Sequence, residues 1–196
     1  MMNNLWDQRY ARQEFVYGKL PNEFFRDQLL NLRAGKILLP AEGEGRNAVF
    51  AAKQGWKVAA FDSSTEAKKK ALTLAAGQNV DIDFRASSFE EFSFEESYFD
   101  AIGLVYAHTT NRSENHRKVI RFLKPGGTII LEGFGKEQIQ NNSGGPRSID
   151  MLFSVQELED DFKELTSIDI WEEDIVLSEG NQHSGKASVI RMVGIK

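Results

Sequence analysis

The chain has 196 residues, 41% of them apolar, which is enough for one domain with a sizeable core. Its 29 acidic residues outnumber the 24 basic ones and leave a formal charge of −5, the opposite of what a protein gripping phosphate backbones needs. There is no cysteine, which excludes disulfides, thiolate metal sites and a cysteine nucleophile together. No apolar run reaches membrane-spanning length and no signal core opens the chain, so the expectation is a cytoplasmic protein without nucleic-acid, membrane or metal partners.

The first 33 residues read as a helical segment. Within it WDQRYARQEFVYGKLPN gathers Trp6, Tyr10, Phe15 and Tyr17, a cluster that either folds over a ligand as a lid or packs as an ordinary N-terminal helix. Pro21 opens a second helical stretch, with Phe24, Phe25, Leu29 and Leu32 at helical spacing and Gly35 closing it. A strand from Lys36 to Ala41 then runs into Gly43-Glu44-Gly45, and Asn47 is placed to cap the helix that follows. The next strand, Trp56 to Phe61, ends at Asp62. Ser63 and Glu66 predict a capping box, and Lys68-Lys69-Lys70 a solvated helix face. Further strands are expected at Val80 to Phe84 and Phe99 to Tyr106. The turn Lys124-Pro125-Gly126-Gly127 ends a helix and releases a strand over Thr128 to Phe134. The polar stretch from Gly135 to Asp150 is long for an internal loop, and loops of that length are often functional. Ser154 and Glu157 repeat the capping box.

Ser167 to Leu177 and Ala187 to Ile195 are both strand-like and are separated only by SEGNQHSG. So short a connection cannot make a parallel crossover, and the two strands must pair antiparallel. The expected fold is α/β: a Rossmann-like, doubly wound, mostly parallel seven-stranded sheet with helices on both faces and an antiparallel C-terminal hairpin, in a single domain over 1–196.

Chemistry concentrates in KILLPAEGEGRNAVFAA. Glycines after a buried strand let backbone approach a ligand, and the helix start offers free N–H groups. Gly43, Gly45 and Ala48 match the G-x-G-x-x-G/A spacing, though such a pattern also closes purely structural turns. Asp62 lies 17 residues beyond Gly45 at the end of the second strand. It is placed to accept hydrogen bonds from a ribose diol, or else to begin the turn into the next helix. Turn and acid together point to a nucleoside-containing cofactor. His108 follows the fourth strand at the edge where open α/β sheets bind ligands, and is a weak candidate for a base or a structural histidine. His116, in a helix, and His183, in the hairpin turn, form no zinc-ligand spacing.

The ordered segments ILLPAEGEGRN, VAAFDSS, FRASSFEEFSF, FDAIGLVYAH and VIRFLKPGGTIILEGF resemble, from about Lys36 onward, the motifs of class I S-adenosylmethionine-dependent methyltransferases. More narrowly, Leu39-Pro40, WDQRY and the ending HSGKASVIRMVGIK are similar to the tellurite-resistance and thiopurine methyltransferase group. The resemblance implies S-adenosylmethionine as cofactor and a small-molecule methyl acceptor, with a soft sulfur or chalcogen nucleophile as one candidate. It implies that Gly43 and Gly45 line the methionine part, that Asp62 holds the ribose hydroxyls with Ser63 near the adenine, and that Ser88 and Phe89 flank the adenine ring. Val105 and Tyr106 would then lie close to the reactive sulfonium. Three positions depart from the family pattern: Leu39 replaces an acid in the first strand, Ala41 the first glycine of the turn, and Ser88 an acid after the third strand. Glu42 and Glu44 can supply the missing charge, although Glu44 as readily faces solvent. On the acceptor side stand Tyr17 and, in the 135–150 loop, Arg147, available for an anion. Two other readings stay open, a nicotinamide-dependent Rossmann oxidoreductase and a cofactor binder that has lost turnover.

Overall fold

In the computed structural model, which describes residues 2–196, the apolar runs assemble into one seven-stranded sheet of order β3-β2-β1-β4-β5-β7-β6. Met1, the first residue of the expected N-terminal segment, lies outside the described residues. The strands are β1 (Lys36–Pro40), β2 (Lys57–Asp62), β3 (Asp83–Ala86), β4 (Phe99–Val105), β5 (Leu123–Phe134), β6 (Ser167–Glu179) and β7 (His183–Ile195). β1 to β5 pair in parallel, and β7 runs antiparallel to both β5 and β6. The doubly wound sheet with its terminal hairpin is the fold read from the sequence.

The helices are α1 (Met2–Tyr10), α2 (Glu23–Leu30), α3 (Arg46–Lys53), α4 (Thr65–Gly77), α5 (Arg112–Phe122) and α6 (Val155–Phe162), with short 3₁₀ turns at Lys136–Gln140 and Ile149–Met151. A central parallel strand is buried on both faces, and successive side chains feed opposite layers. Leu38 enters a cluster with Ile120 of α5 and Phe162 of α6, while Ile37 and Leu39 enter one with Phe25 of α2 and Ala51 of α3. Each such side chain contributes about 1.5–3 kcal/mol by leaving water. No described helix is long and apolar enough to cross a membrane.

Local signals shift by a residue or two where side chains compete for the same backbone groups. Asn22, not Pro21, starts α2, its side chain accepting from Phe25 N at 2.9 Å. Gly45, at φ +87°, precedes α3, so Asn47 lies inside the first turn rather than at the cap. Ser64, not Ser63, caps α4 and accepts from Ala67 N at 3.1 Å, because Asp62 already holds the Ser64 N–H and delays the helix by one residue. Lys70 is not on a solvated face; its Nζ lies 2.7 Å from the buried Glu44 carboxylate. The third strand falls at Asp83–Ala86, later than expected. Lys124 to Gly127 form a bulge within β5 rather than a turn ahead of it: Phe99 pairs with Leu123 but Ala101 with Thr128. The hairpin strands pair as far as Glu179 with His183, so the connection is shorter than expected and His183 stands in β7. The capping box of Ser154 and Glu157 forms in full.

Candidate functional site

The strand order reverses between β1 and β4, and it is outside the carboxyl ends of such strands that open α/β sheets form ligand crevices. A cavity of about 830 Å³ opens there, lined by the segments after β1, β2, β3 and β4, within the size range of small-molecule and cofactor sites.

Past β1 the backbone turns sharply, with Ala41 at φ +50° and Gly43 at +64°. The turn is locked from β2: Asp62 accepts from Gly43 N and from Ser64 N, both at 2.9 Å. Both sequence readings of Asp62 are thus compatible, since each carboxylate oxygen retains a further lone pair. Burial pushes the Asp62 carboxyl up to about 6, against the pull of the two N–H groups. Glu42 lies beside it at the start of α3. One oxygen accepts from Asn47 N and Ala48 N, both at 2.8 Å, and the other from Asn47 Nδ2 at 3.3 Å. Its burial is deeper in effect and lifts it to about 7.

Ser63, Ser88, Phe89, Val105 and Tyr106 all line the cavity. Phe89 packs edge-on to Phe61, with ring centroids 5.1 Å apart. Gly45 does not line it: a Cβ there would lie 2.6 Å from the Ala71 Cβ, so this glycine serves the α3–α4 contact. Glu44 faces neither solvent nor a free charge site. It is buried, with Lys70 on one oxygen and Val16 N on the other at 2.7 Å, and so ties down the N-terminal segment.

His108 lines the cavity but cannot serve as a base. Its Nδ1 lies 2.7 Å from the Met151 carbonyl and its Nε2 accepts from Phe134 N at 3.0 Å, so both nitrogens are spent on backbone. Burial holds it at about 4. Arg147 sits exposed on the rim, donating to Asn141 O and Asn142 Oδ1, and Tyr17 accepts from Arg9 Nη1 at 3.0 Å. Trp6, Arg9 and Tyr10 bring α1 onto the cavity, and Asp7 anchors the helix by accepting from Ser64 Oγ.

Sequence reasoning missed a buried polar network where the last strands meet the cavity. Glu132 of β5 accepts from Tyr106 Oη (2.7 Å), Asn22 Nδ2 (2.6 Å) and Arg191 Nε (2.7 Å). Glu179 of β6 meets Arg46 Nη2 and His183 Nδ1, both at 3.0 Å, and Asn22 Nδ2 at 3.1 Å. The available signal was a glutamate inside the apolar strand TIILEGF, since a buried charge requires partners. Among the described residues no group of three or more His, Asp or Glu side chains could hold a metal ion.

Residues 37–127 match the model of a family described as a methyltransferase domain. No curated protein matches the sequence. The fold is shared with a structure reported for the conversion of a disulfide bond into a thioacetal group during echinomycin biosynthesis, at 19% identity and TM-score 0.74 over 99% of this chain and 91% of that one. It is shared also with an S-adenosylmethionine-dependent methyltransferase from Methanosarcina mazei, at 20% identity and TM-score 0.70 over 90% and 98% of the two chains. The plantazolicin methyltransferase BpumL, solved with a pentazolic desmethylPZN analog and S-adenosylhomocysteine, is similar at 15% identity and TM-score 0.65 over 88% and 80%.

Proposed function

We propose that the chain is an S-adenosylmethionine-dependent methyltransferase, that it acts on a small-molecule acceptor with a soft nucleophile, a thiol or a reduced chalcogen, and that one domain over 1–196 carries both subsites. The observation that carries the site assignment is the Asp62 carboxylate, at the end of β2 on the cavity wall and within hydrogen-bond distance of the Gly43 turn. In this reading Asp62 receives the ribose hydroxyls, the Gly43 backbone passes along the methionine part, and Glu42 faces its ammonium. Ser63, Ser88 and Phe89 surround the adenine, and Val105 and Tyr106 border the sulfonium.

The bound cofactor supplies a methyl carbon already activated by its sulfonium. The chain supplies orientation and exclusion of water. α1 acts as a lid, with Trp6 and Tyr10 over the site. The 135–150 loop covers the acceptor, with Arg147 at the rim for an anionic group. The sulfur chemistry named for the echinomycin structure supports a soft acceptor. Leu39-Pro40 and the HSGKASVIRMVGIK ending support a place beside the tellurite-resistance and thiopurine group.

Calorimetric titration with S-adenosylhomocysteine, with NADH alongside, tests the cofactor assignment. We expect the first to bind and the second not to. Asp62→Ala should weaken binding by roughly 1.5–3 kcal/mol, the worth of a hydrogen bond to a charged group. NADH binding alone would overturn the cofactor, and unchanged affinity in a folded Asp62→Ala variant would remove Asp62 from the site.

A further inference from the structure

His183 and Glu179 face each other across the β6–β7 hairpin, and the imidazole is turned into the cavity, which it lines. Its Nδ1 lies 3.0 Å from Glu179 Oε2. The carboxylate is fixed in turn by Arg46 Nη2 and Asn22 Nδ2. An ionised carboxylate only accepts, so Nδ1 must carry the proton and Nε2 the lone pair. No described group hydrogen-bonds to Nε2. Among the described residues the buried side-chain polar atom sealed from solvent without a partner is His116 Nε2, not that of His183; the Nε2–Cδ2 edge of the His183 ring lies beside Gly144 of the 135–150 loop, where an added Cβ would fall 3.2 Å from Nε2. The surrounding rings are those of Tyr17, Tyr106 and Phe134, with centroids 4.5, 4.7 and 5.2 Å away. His108, with both nitrogens taken by backbone, offers no such lone pair.

From this geometry we infer that His183 is the general base of the reaction, with Nε2 taking the acceptor's proton and Glu179 as its positioning residue. The inference rests on the methyltransferase reading and deepens it, because the acceptor must then arrive protonated, as a neutral X–H group. In the step, the X–H bond breaks and its electron pair stays on X. The proton forms a bond to Nε2, and the resulting imidazolium is balanced by Glu179 until it returns the proton to solvent after product leaves. A carboxylate behind an imidazole fixes its tautomer and stabilises the cation that forms.

The charged and titratable groups around the ring are Arg46 from α3, Tyr17 from the N-terminal segment, Tyr106 after β4, Glu132 from β5 and Glu179 from β6, with His108 further along the wall. Burial holds the imidazole below its ordinary range and so neutral at pH 7. Burial also opposes ionisation of Glu179, but the His183 hydrogen bond and the Arg46 charge outweigh it and hold that carboxyl down to about 2.

The test has two readouts on the full chain. The first is nitrogen-15 NMR of the histidine rings in the S-adenosylhomocysteine complex at pH 7.5. His183 should show a protonated Nδ1 and a bare Nε2, and Glu179→Gln should abolish that preference; a protonated Nε2 in the wild type would overturn the inference. The second is methyl transfer to an alkyl thiol, protonated at neutral pH, and to an acidic aryl thiol, already ionised there. His183→Gln should lower kcat/KM by roughly 100-fold for the alkyl thiol, the low end of general-base effects, and leave the aryl thiol within about 3-fold. The acid limb of the alkyl-thiol pH profile should vanish with the substitution. Equal losses for both thiols would sink the base. Undiminished S-adenosylhomocysteine binding by His183→Gln shows that the variant is folded. A wild-type chain that binds S-adenosylhomocysteine yet methylates neither thiol removes the acceptor reading, while the tautomer still decides His183.

Discussion

Glu42 and Asp62, on the wall built after β1 and β2, take hydrogen bonds from main-chain N–H groups and one asparagine. Glu132 and Glu179, on the wall built by the last strands, are tied to Arg191 and Arg46. Burial wins on the first wall and raises the two carboxyls to about 7 and about 6. On the second wall the partners win, and Glu179 falls to about 2. The two walls teach that carboxyls withdrawn from water reach opposite states according to whether a side-chain cation is supplied from within. The β1–β2 carboxyls lack a side-chain cation, which a cationic, hydroxyl-bearing ligand would supply, whereas the hairpin carboxylates are paired before any ligand arrives.

The largest expected effect comes from dismantling the finished wall. Arg46→Met leaves Glu179 buried without its cation and should cost about 3–5 kcal/mol in urea unfolding at pH 7. Adding Glu179→Gln to it should recover part of that loss, since the uncompensated charge is then gone. A single-variant cost under about 1 kcal/mol would mean that solvent, not Arg46, satisfies Glu179.

On the other wall, removing a charge should do the reverse. A carboxyl raised in the folded state contributes stability that is complete below its unfolded value and is lost as pH rises through the folded one. For Glu42 that window runs from 4.5 to about 7, and for Asp62 from 3.8 to about 6. Glu179 behaves oppositely, its contribution being present above 4.5 and lost as pH falls toward 2. Glu42→Gln should therefore stabilise the ligand-free protein at pH 8 by about 2 kcal/mol, with little change at pH 5. The same variant should bind S-adenosylhomocysteine more weakly, and wild-type affinity should rise from pH 5 to pH 8 as both carboxyls ionise. Equal stability of variant and wild type at pH 8 would show that Glu42 is not strained by its burial.

The two walls also differ in how far the sequence revealed them. The β1–β2 wall is local in the chain: Gly43 and Asp62 lie at fixed offsets from strand ends, so spacing alone located them. What spacing could not resolve was a single-residue choice, Ser63 or Ser64 as the cap, decided by which N–H Asp62 holds first. The hairpin wall joins residues separated by 110 to 157 positions, Asn22 with Glu132 and Glu179, and Arg46 with Glu179. Those pairings exist only once β7 has inserted beside β5, and no local pattern announces them. His108 shows the converse failure. Its place after β4 was legible, but the use of its nitrogens depends on Met151 and Phe134 from other elements.

The smallest effect concerns strain in the β1–β2 wall. Ala41 stands at φ +50°, where an L side chain is disfavoured by about 1–2 kcal/mol and glycine is not. Ala41→Gly relieves that strain but frees the unfolded chain and removes a methyl packed against the core cluster that includes Phe61. The opposing contributions leave a net gain of about 0.5 kcal/mol, a rise of roughly 1–2 °C in Tm for a chain of this size. Affinity for S-adenosylhomocysteine should change less than about 2-fold, because Gly43 and Asp62 keep their bond. A fall in Tm would mean that the Ala41 methyl holds the turn more than its φ strains it, and the wall's shape would then depend on packing from β2 as well as on the Asp62 carboxylate.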